Sequence, residues 1–294
     1  MDLSKRAHGM SWGWHQRVDD NWRVGLTSHG GAFEKISGLS DVTGEMLIKF
    51  GNDFGSDWID HQLIPHGNWY FWDNPELPQL LNPWSGNPRG NKEFVRFTRG
   101  SLFTEKYNST PNAARLDSII HDLSSGQDTL ESLIRPVPVR LRKTRRVLIC
   151  PSSPNCFQYY YHCDRSSWLA VWLVWCEQNG YEPVVRNKPP RDARRNYAET
   201  RLYEHLVLED YAFTISQHSV AAVESILAGV PAMITGPHPI GDLATIPERA
   251  AAGDFELPDS DRVWNWIQRI ASNTYHKSEL FSGAWHEFHH VKTR

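Results

Sequence analysis

The second half of the chain alternates short apolar runs with longer helical patterns. Residues 146–150, Arg-Val-Leu-Ile-Cys, form an apolar run led by a basic residue and closed by Pro151, Ser152, Ser153 and Pro154. A short apolar run bounded by turn formers predicts a buried strand. Residues 168–177 predict a helix, with Asp164 or Ser166 as its cap and Gly180 as its stop. A second strand is predicted over 182–186, ending in Asn187, Lys188, Pro189 and Pro190, and a polar helix over 194–205. A third strand follows at 211–215, a helix at 220–227 stopped by Gly229, a fourth strand at 230–235 and a late amphipathic helix at 261–271. Strands separated by helical stretches of roughly 10 to 15 residues predict a parallel, doubly wound α/β sheet with right-handed crossovers.

The first half is harder to parse. Residues 22–26, 46–50 and 69–72 read as strands, and 82–91, with two prolines and two glycines, reads as a loop. Residues 124–145 have the composition of an interdomain connection, with Ser-Ser-Gly, prolines and then a run of basic residues. A length of 294 residues suits two domains. The division falls at 1–140 and 141–294, with the last helix a candidate to pack back on the N-terminal domain.

Composition excludes some classes of function. No window approaches the ~20 uninterrupted apolar residues of a membrane span, and the first 25 residues lack an apolar signal region, so a cytoplasmic location with no membrane partner is expected. Cys150, Cys156, Cys163 and Cys176 are too few and too clustered for a disulfide framework and read as reduced thiols. The net charge of -3 argues against a wholly basic nucleic-acid coat, yet residues 77–146 carry 12 Lys and Arg against 6 Asp and Glu. That belt is either a solvated linker or a footprint for phosphates. Thirteen tryptophans, crowded in the first half at Trp12, Trp14, Trp22, Trp58, Trp69, Trp72 and Trp84, serve either as core or as a stacking surface for sugars or bases.

In a doubly wound sheet ligands bind beyond the carboxyl ends of the strands. The polar groups predicted at those ends are Ser152 and Ser153, then Arg186 and Lys188, then Ser216, Gln217, His218 and Ser219, then Gly236. Arg186 and Lys188 share a strand face and can neutralise one diphosphate, Arg through paired bonds and Lys as a point charge. Ser219 suits a helix cap or a phosphate. Glu224, about a turn and a half into its helix, suits a ribose diol or plain solvation.

The segment 215–233, Ile-Ser-Gln-His-Ser-Val-Ala-Ala-Val-Glu-Ser-Ile-Leu-Ala-Gly-Val-Pro-Ala-Met, resembles the donor-binding segment of GT-B glycosyltransferases. With the serine and basic loops at 146–154 and 184–189, Trp69-Tyr-Phe-Trp-Asp73 and Phe94-Val-Arg-Phe-Thr-Arg99, the chain resembles compact glycosyltransferase-like proteins of bacteriophages and bacteria. The resemblance implies a GT-B-like architecture of two Rossmann-like domains facing a cleft, the second holding a nucleotide sugar, a UDP-sugar first, and the first holding the acceptor. It implies that no metal is required, since Arg, Lys and a helix N-terminus neutralise the leaving diphosphate. An inverting member needs a general base; Asp73 is the first candidate, then Asp53 and His29, with Asp57 and His66 behind them. Two acceptors suit the chain. Double-stranded phage DNA with hydroxymethylated bases would use Arg89, Lys92, Arg96, Arg99 and the run 140–146 against phosphates, unless Arg96 and Arg99, which the resemblance places near the cleft, grip the donor instead; a lipopolysaccharide or capsule saccharide would use the tryptophans. A non-catalytic binder of nucleic acid or sugar on the same fold is the third reading.

Three metal-like patterns have simpler explanations. His286-Glu-Phe-His-His290 satisfies H-E-x-x-H but shows no third ligand downstream. Asp259-Ser-Asp261 matches a D-x-D pair yet directly precedes a helix, where acidic residues cap. Cys150, Cys156, His162 and Cys163 fit no zinc spacing.

Overall fold

The computed structural model describes residues 5–7, 24, 34–36, 47–50, 69–73, 94–99, 110–124, 137–152, 157, 163–187, 207–236 and 238–282. Contacts divide the chain into two compact units. The first comprises residues 1–82, 87–102 and 273–294, the second 83–86 and 103–272. Residues 110–140, expected with the N-terminal domain, thus group with the second unit, and residues 273–282 with the first.

The second unit is built on the strands β6 (Arg146–Cys150), β7 (Glu182–Val185), β8 (Phe213–Ser216) and β9 (Ala232–Ile234), all parallel in the order β7-β6-β8-β9. β6 is central because it is apolar on both faces. Val147 and Ile149 join Phe213, Ile215 and Met233 on one side, while Leu148 and Cys150 join Tyr211, Ala221 and Val230 on the other. Only a strand covered by helices on both faces can bury such a run.

Helix α2 (Arg165–Gln178) covers the first face. Asp164 is its cap, with Oδ2 accepting the Ser167 N–H at 3.0 Å, and Gly180, at φ 74°, follows its end. Trp168, Trp172 and Trp175 recur at helical spacing along the sheet side, and Trp175 stacks on Tyr181 with ring centres 6.0 Å apart. Helix α3 (Ala221–Leu227) covers the second face, and the buried Ser225 hydroxyl donates to Val230 O at 3.0 Å, tying the helix to the approach to β9.

Helices α1 (Ala113–Ser124) and α5 (Ser260–Ala271) pack together in the same unit. Asn112 Oδ1 accepts the Arg115 N–H at 2.9 Å at the start of α1, and Asp259 Oδ1 accepts the Arg262 N–H at 2.8 Å at the start of α5. Val263, Trp266, Ile267 and Ile270 form the buried stripe of α5. Ahead of it, α4 (Pro247–Ala251) supplies Arg249, which bonds Asp254 and Glu256, and Glu256 also takes Arg262. Burial pushes the Glu256 carboxyl up, but the hydrogen bonds from Arg262 and Arg249 outweigh it and hold the group below its ordinary value.

The segment expected to be a loose connection is tethered over 137–140. Val139 N donates to Pro258 O and Arg140 N to Gly229 O, both at 3.0 Å. Gly229 adopts φ +72°, and a Cβ there would lie 2.7 Å from Val137 Cγ2 and 3.1 Å from Pro138 O. The residue that stops α3 is therefore glycine for two reasons, its backbone conformation and the close approach of residues 137–138.

The first unit carries β1 (Lys5–Ala7), β2 (Glu34–Ile36), β3 (Leu47–Phe50), β4 (Trp69–Asp73), β5 (Phe94–Arg99) and β10 (Thr274–His276), followed by α6 (Lys277–Ser282). Its order is β10-β5-β4-β3-β1-β2, parallel from β2 to β4 and antiparallel at β5 and β10. The four parallel strands β2-β1-β3-β4 follow the same second-first-third-fourth order as the four strands of the other unit.

Some expectations shift. Val24, expected in a strand at 22–26, is helical. The third strand of the second unit starts at Phe213 rather than 211, because Tyr211 N is taken by Leu208 O at the end of the 3-10 turn Leu208–Asp210. The strand expected at 230–235 is limited to Ala232–Ile234. The predicted helix 194–205 and loop 82–91 lie outside the described residues.

Replacing Gly229 with Ala should cost about 1–2 kcal/mol from the left-handed backbone alone, with a further loss from the contact with Val137. Urea unfolding of Gly229→Ala, and of Gly229→Ala with Val137→Ala, should show the second change recovering only the contact part. Wild-type stability in the single variant would refute the assignment.

The Glu256 cluster predicts a pH dependence. A carboxyl held below its unfolded pKa contributes stability above the ordinary glutamate value, about 4.3, and the contribution fades as pH falls through the lower folded value. Urea midpoints between pH 6 and 3 should fall in that window, and Glu256→Gln should lower the midpoint at pH 6 and flatten the slope.

Candidate functional site

The order β7-β6-β8-β9 has a switch point between β6 and β8, because α2 leaves β6 on one face and α3 leaves β8 on the other. The loops beyond the two carboxyl ends diverge there, which is where open α/β sheets bind ligands. Ser152, 7 % exposed, closes the gap from the β6 side, its Oγ accepting the His218 N–H at 3.1 Å. On the β8 side Ser216 Oγ accepts the Ser219 N–H at 3.1 Å, and Ser219 Oγ accepts the Ala221 N–H at 3.3 Å. Of the two roles open to Ser219, its hydroxyl performs the capping one here, although Val220 is the residue at the formal cap position.

The end of β6 is buried. The Cys150 thiol is pushed up to about 12, chiefly by burial, with the positive charge of Arg186 opposing and the negative charge of Glu224 reinforcing it. Arg186 directly follows β7, and Glu224 lies in α3, the helix after β8. The Arg186 backbone is fixed to β6, its N–H donating to Ile149 O at 2.9 Å. Gln217, 3 % exposed, has an Oε1 atom with no hydrogen-bond partner among the described residues. A buried acceptor left unsatisfied calls for a donor from a ligand or a solvent molecule.

Two residues that the sequence reading did not single out brace the loops. His238 is buried, and its Nδ1 accepts the Ile240 N–H at 3.2 Å, so the assigned tautomer carries hydrogen on Nε2, which donates to Ser219 O at 3.2 Å. Trp168 Nε1 donates to Thr235 Oγ1 at 3.1 Å, while Thr235 N donates to Ser216 O at 3.0 Å. The Gly-Pro-His-Pro run at 236–239 was the sequence signal for His238; a tryptophan reaching from α2 to the end of β9 left none.

The structure therefore brings together Ser152, Arg186, Ser216, His218, Ser219 and Glu224, with Gly236 in the loop after β9. Ser153, Lys188, Arg89, Lys92, His29, Asp53, Asp57 and His66 lie outside the described residues. Asp73 ends β4, at the carboxyl edge of the parallel strands of the first unit, in register with Arg96 of β5. Arg96 is 4 % exposed, a correction to its expected place on a phosphate-facing surface. Arg99 ends β5 opposite Tyr70.

The run 140–146 enters β6 at its amino end, with Arg146 over the Tyr211 ring at 5.0 Å. At about 3.3 Å per residue, the length of β6 sets Arg146 roughly 13 Å from Cys150. The basic run and the switch point therefore occupy opposite edges of one sheet. Asp259 is a helix cap, as its position before α5 predicts, while 286–290 lies outside the described residues. Among the described residues no group of three His, Cys, Asp or Glu could hold a metal ion, and no helix is long and apolar enough to cross a membrane. Cys150, Cys163 and Cys176 are free thiols.

No protein-family model matches the chain, and no curated protein matches it in sequence. Among solved structures it is similar to Thermosulfurimonas dismutans KpsC, a beta Kdo 2,7 transferase, with a TM-score of 0.51 and 10% identity over 98% of this chain and 100% of that one. At that identity the likeness speaks for the fold alone, a mixed α/β architecture shared with that transferase.

Burial of the β6 end has a direct chemical readout. Iodoacetamide at pH 8 should label the exposed Cys163 in the native protein and spare Cys150 and Cys176, whose thiols are both pushed up to about 12. Denaturation should expose both, and mass spectrometry reads the sites. Native labelling of Cys150 would put the end of β6 in solvent and remove the basis of the site.

Proposed function

We propose that the chain is a glycosyltransferase that moves a sugar from a nucleotide-sugar donor to a hydroxyl of a saccharide acceptor. The observation that carries this reading is the switch point itself, where Ser152 holds the His218 backbone, Arg186 is fixed on Ile149 at the carboxyl end of the β6–β7 pair, and Glu224 stands in the helix that follows β8. A nucleotide sugar needs a cation for its phosphates and an acceptor for its ribose hydroxyls, and Arg186 and Glu224 supply them. Similarity in fold to a beta Kdo 2,7 transferase supports sugar transfer over other chemistry on this fold.

In this reading both units are Rossmann-like halves of a GT-B-like enzyme, which the repeated second-first-third-fourth strand order supports. The second unit holds the donor, a UDP-sugar first, through Arg186 and Lys188 on the diphosphate, Glu224 on the ribose, and the loops of Ser152, Ser153, Ser216, His218, Ser219 and Gly236 around them. The leaving diphosphate departs against the fixed positive charge of Arg186 and Lys188, which is why no metal is needed. The first unit holds the acceptor, and Asp73, at the carboxyl edge of its parallel strands, takes the proton of the attacking hydroxyl, with Asp53 and His29 as the other candidates. Saccharide is preferred to DNA because Arg96 is buried and the run 140–146 lies at the edge remote from the switch point.

The test offers a panel of nucleotide sugars, with saccharide acceptors in one arm and hydroxymethylated duplex DNA in the other, and reads product mass. Transfer to saccharide, undiminished in EDTA, is the expected result. Transfer to DNA would overturn the acceptor, loss in chelator restored by manganese would overturn metal independence, and nucleotide binding without turnover would make the chain a binder. Asp73→Asn should lower kcat by about 10²-fold or more with donor affinity unchanged.

A further inference from the structure

Arg165 is the first residue of α2, and its Nη2 donates to Asn187 Oδ1 at 2.5 Å. Asn187 follows Arg186 at the carboxyl end of β7. Side chains alternate along this strand, with Val185 in the cluster beneath α2 and Val184 in the cluster on the α3 side. Continuing the alternation puts Asn187 on the α2 side and Arg186 on the α3 side. The two guanidinium groups therefore flank the carboxyl end of the β6–β7 pair from opposite faces.

Arg165 is incompletely used. Its Nε is buried and has no hydrogen-bond partner among the described residues, although Asn187 holds the other end of the guanidinium. A buried N–H donor without an acceptor is unfavourable until an oxygen meets it. The nearest carboxylate in sequence, Asp164, turns its Oδ2 to the helix start, accepting from the Ser167 N–H at 3.0 Å and the Ser167 hydroxyl at 3.4 Å. The start of α2 is capped by its own side chain, so the open donor belongs to Arg165 and not to the helix terminus.

Resting on the reading of the second unit as the donor site, we propose that Arg165, held by Asn187, is a second binding cation for the donor's phosphates, facing Arg186 across the carboxyl edge. Arg165 touches the ligand, and Asn187 is a positioning residue. A guanidinium already anchored at one nitrogen presents its remaining N–H groups in a fixed fork, which suits a phosphate with two open oxygens.

Calorimetry on the full chain with UDP and with uridine separates the phosphate contribution from the nucleoside one. Arg165→Gln should weaken UDP by about tenfold or more, the scale of a charge-assisted bond, and leave uridine unchanged. Arg165→Lys should fall between, keeping charge and losing the fork, and Asn187→Ala should weaken UDP alone with little change in Tm. Unchanged UDP affinity in Arg165→Gln, while the wild type binds UDP, would overturn this proposal and leave the transferase reading standing. Equal loss of UDP and uridine together with a lower Tm would make Arg165 structural and also overturn it. A wild-type chain that binds none of UDP, CDP, GDP and ADP would remove both readings.

Discussion

β6 lies between β7 and β8 with Val147, Leu148 and Ile149 wholly buried, and the second unit depends on that placement. A strand apolar on both faces demands a helix on each side. The chain meets the demand by sending α2 off one face after β6 and α3 off the other after β8. The same arrangement separates the loops at the carboxyl ends of β6 and β8, so the packing requirement and the ligand crevice have one cause.

The crevice is shaped mainly by groups that serve one another. Ser152 holds the His218 backbone, Ser216 holds Ser219, His238 holds the Ser219 carbonyl, and Trp168 holds Thr235. Such contacts satisfy polar groups that burial would otherwise leave costly. What remains beyond this mutual bracing is the buried Gln217 Oε1, which has no hydrogen-bond partner among the described residues. Rigid loops that leave a buried polar atom over suit a polar ligand.

The first unit repeats the parallel strand order and then departs from it. β5 and β10 extend the sheet antiparallel, and β10 comes from residues that follow α5 of the second unit. The chain thus crosses back to the first unit after Ser272, and Arg96 is buried in a strand flanked on both sides, in register with Asp73 and with Thr274. A basic residue that sequence position alone made a surface contact is, by pairing, interior.

Apolar runs and stop signals in the sequence determined the four strands and three of the helices of the second unit to within a few residues, because Val147–Ile149, the tryptophan spacing of α2 and Gly229 act through local rules of periodicity and backbone freedom. They also determined which loops would carry polar groups. Only the tertiary structure decided that Arg165 joins Asn187 and that Ser152 holds the His218 backbone. Strand order decides each of these, since placing β6 between β7 and β8 sets which chain ends are neighbours. That order is a long-range choice, made by summed burial over the whole sheet and written in no short window of residues.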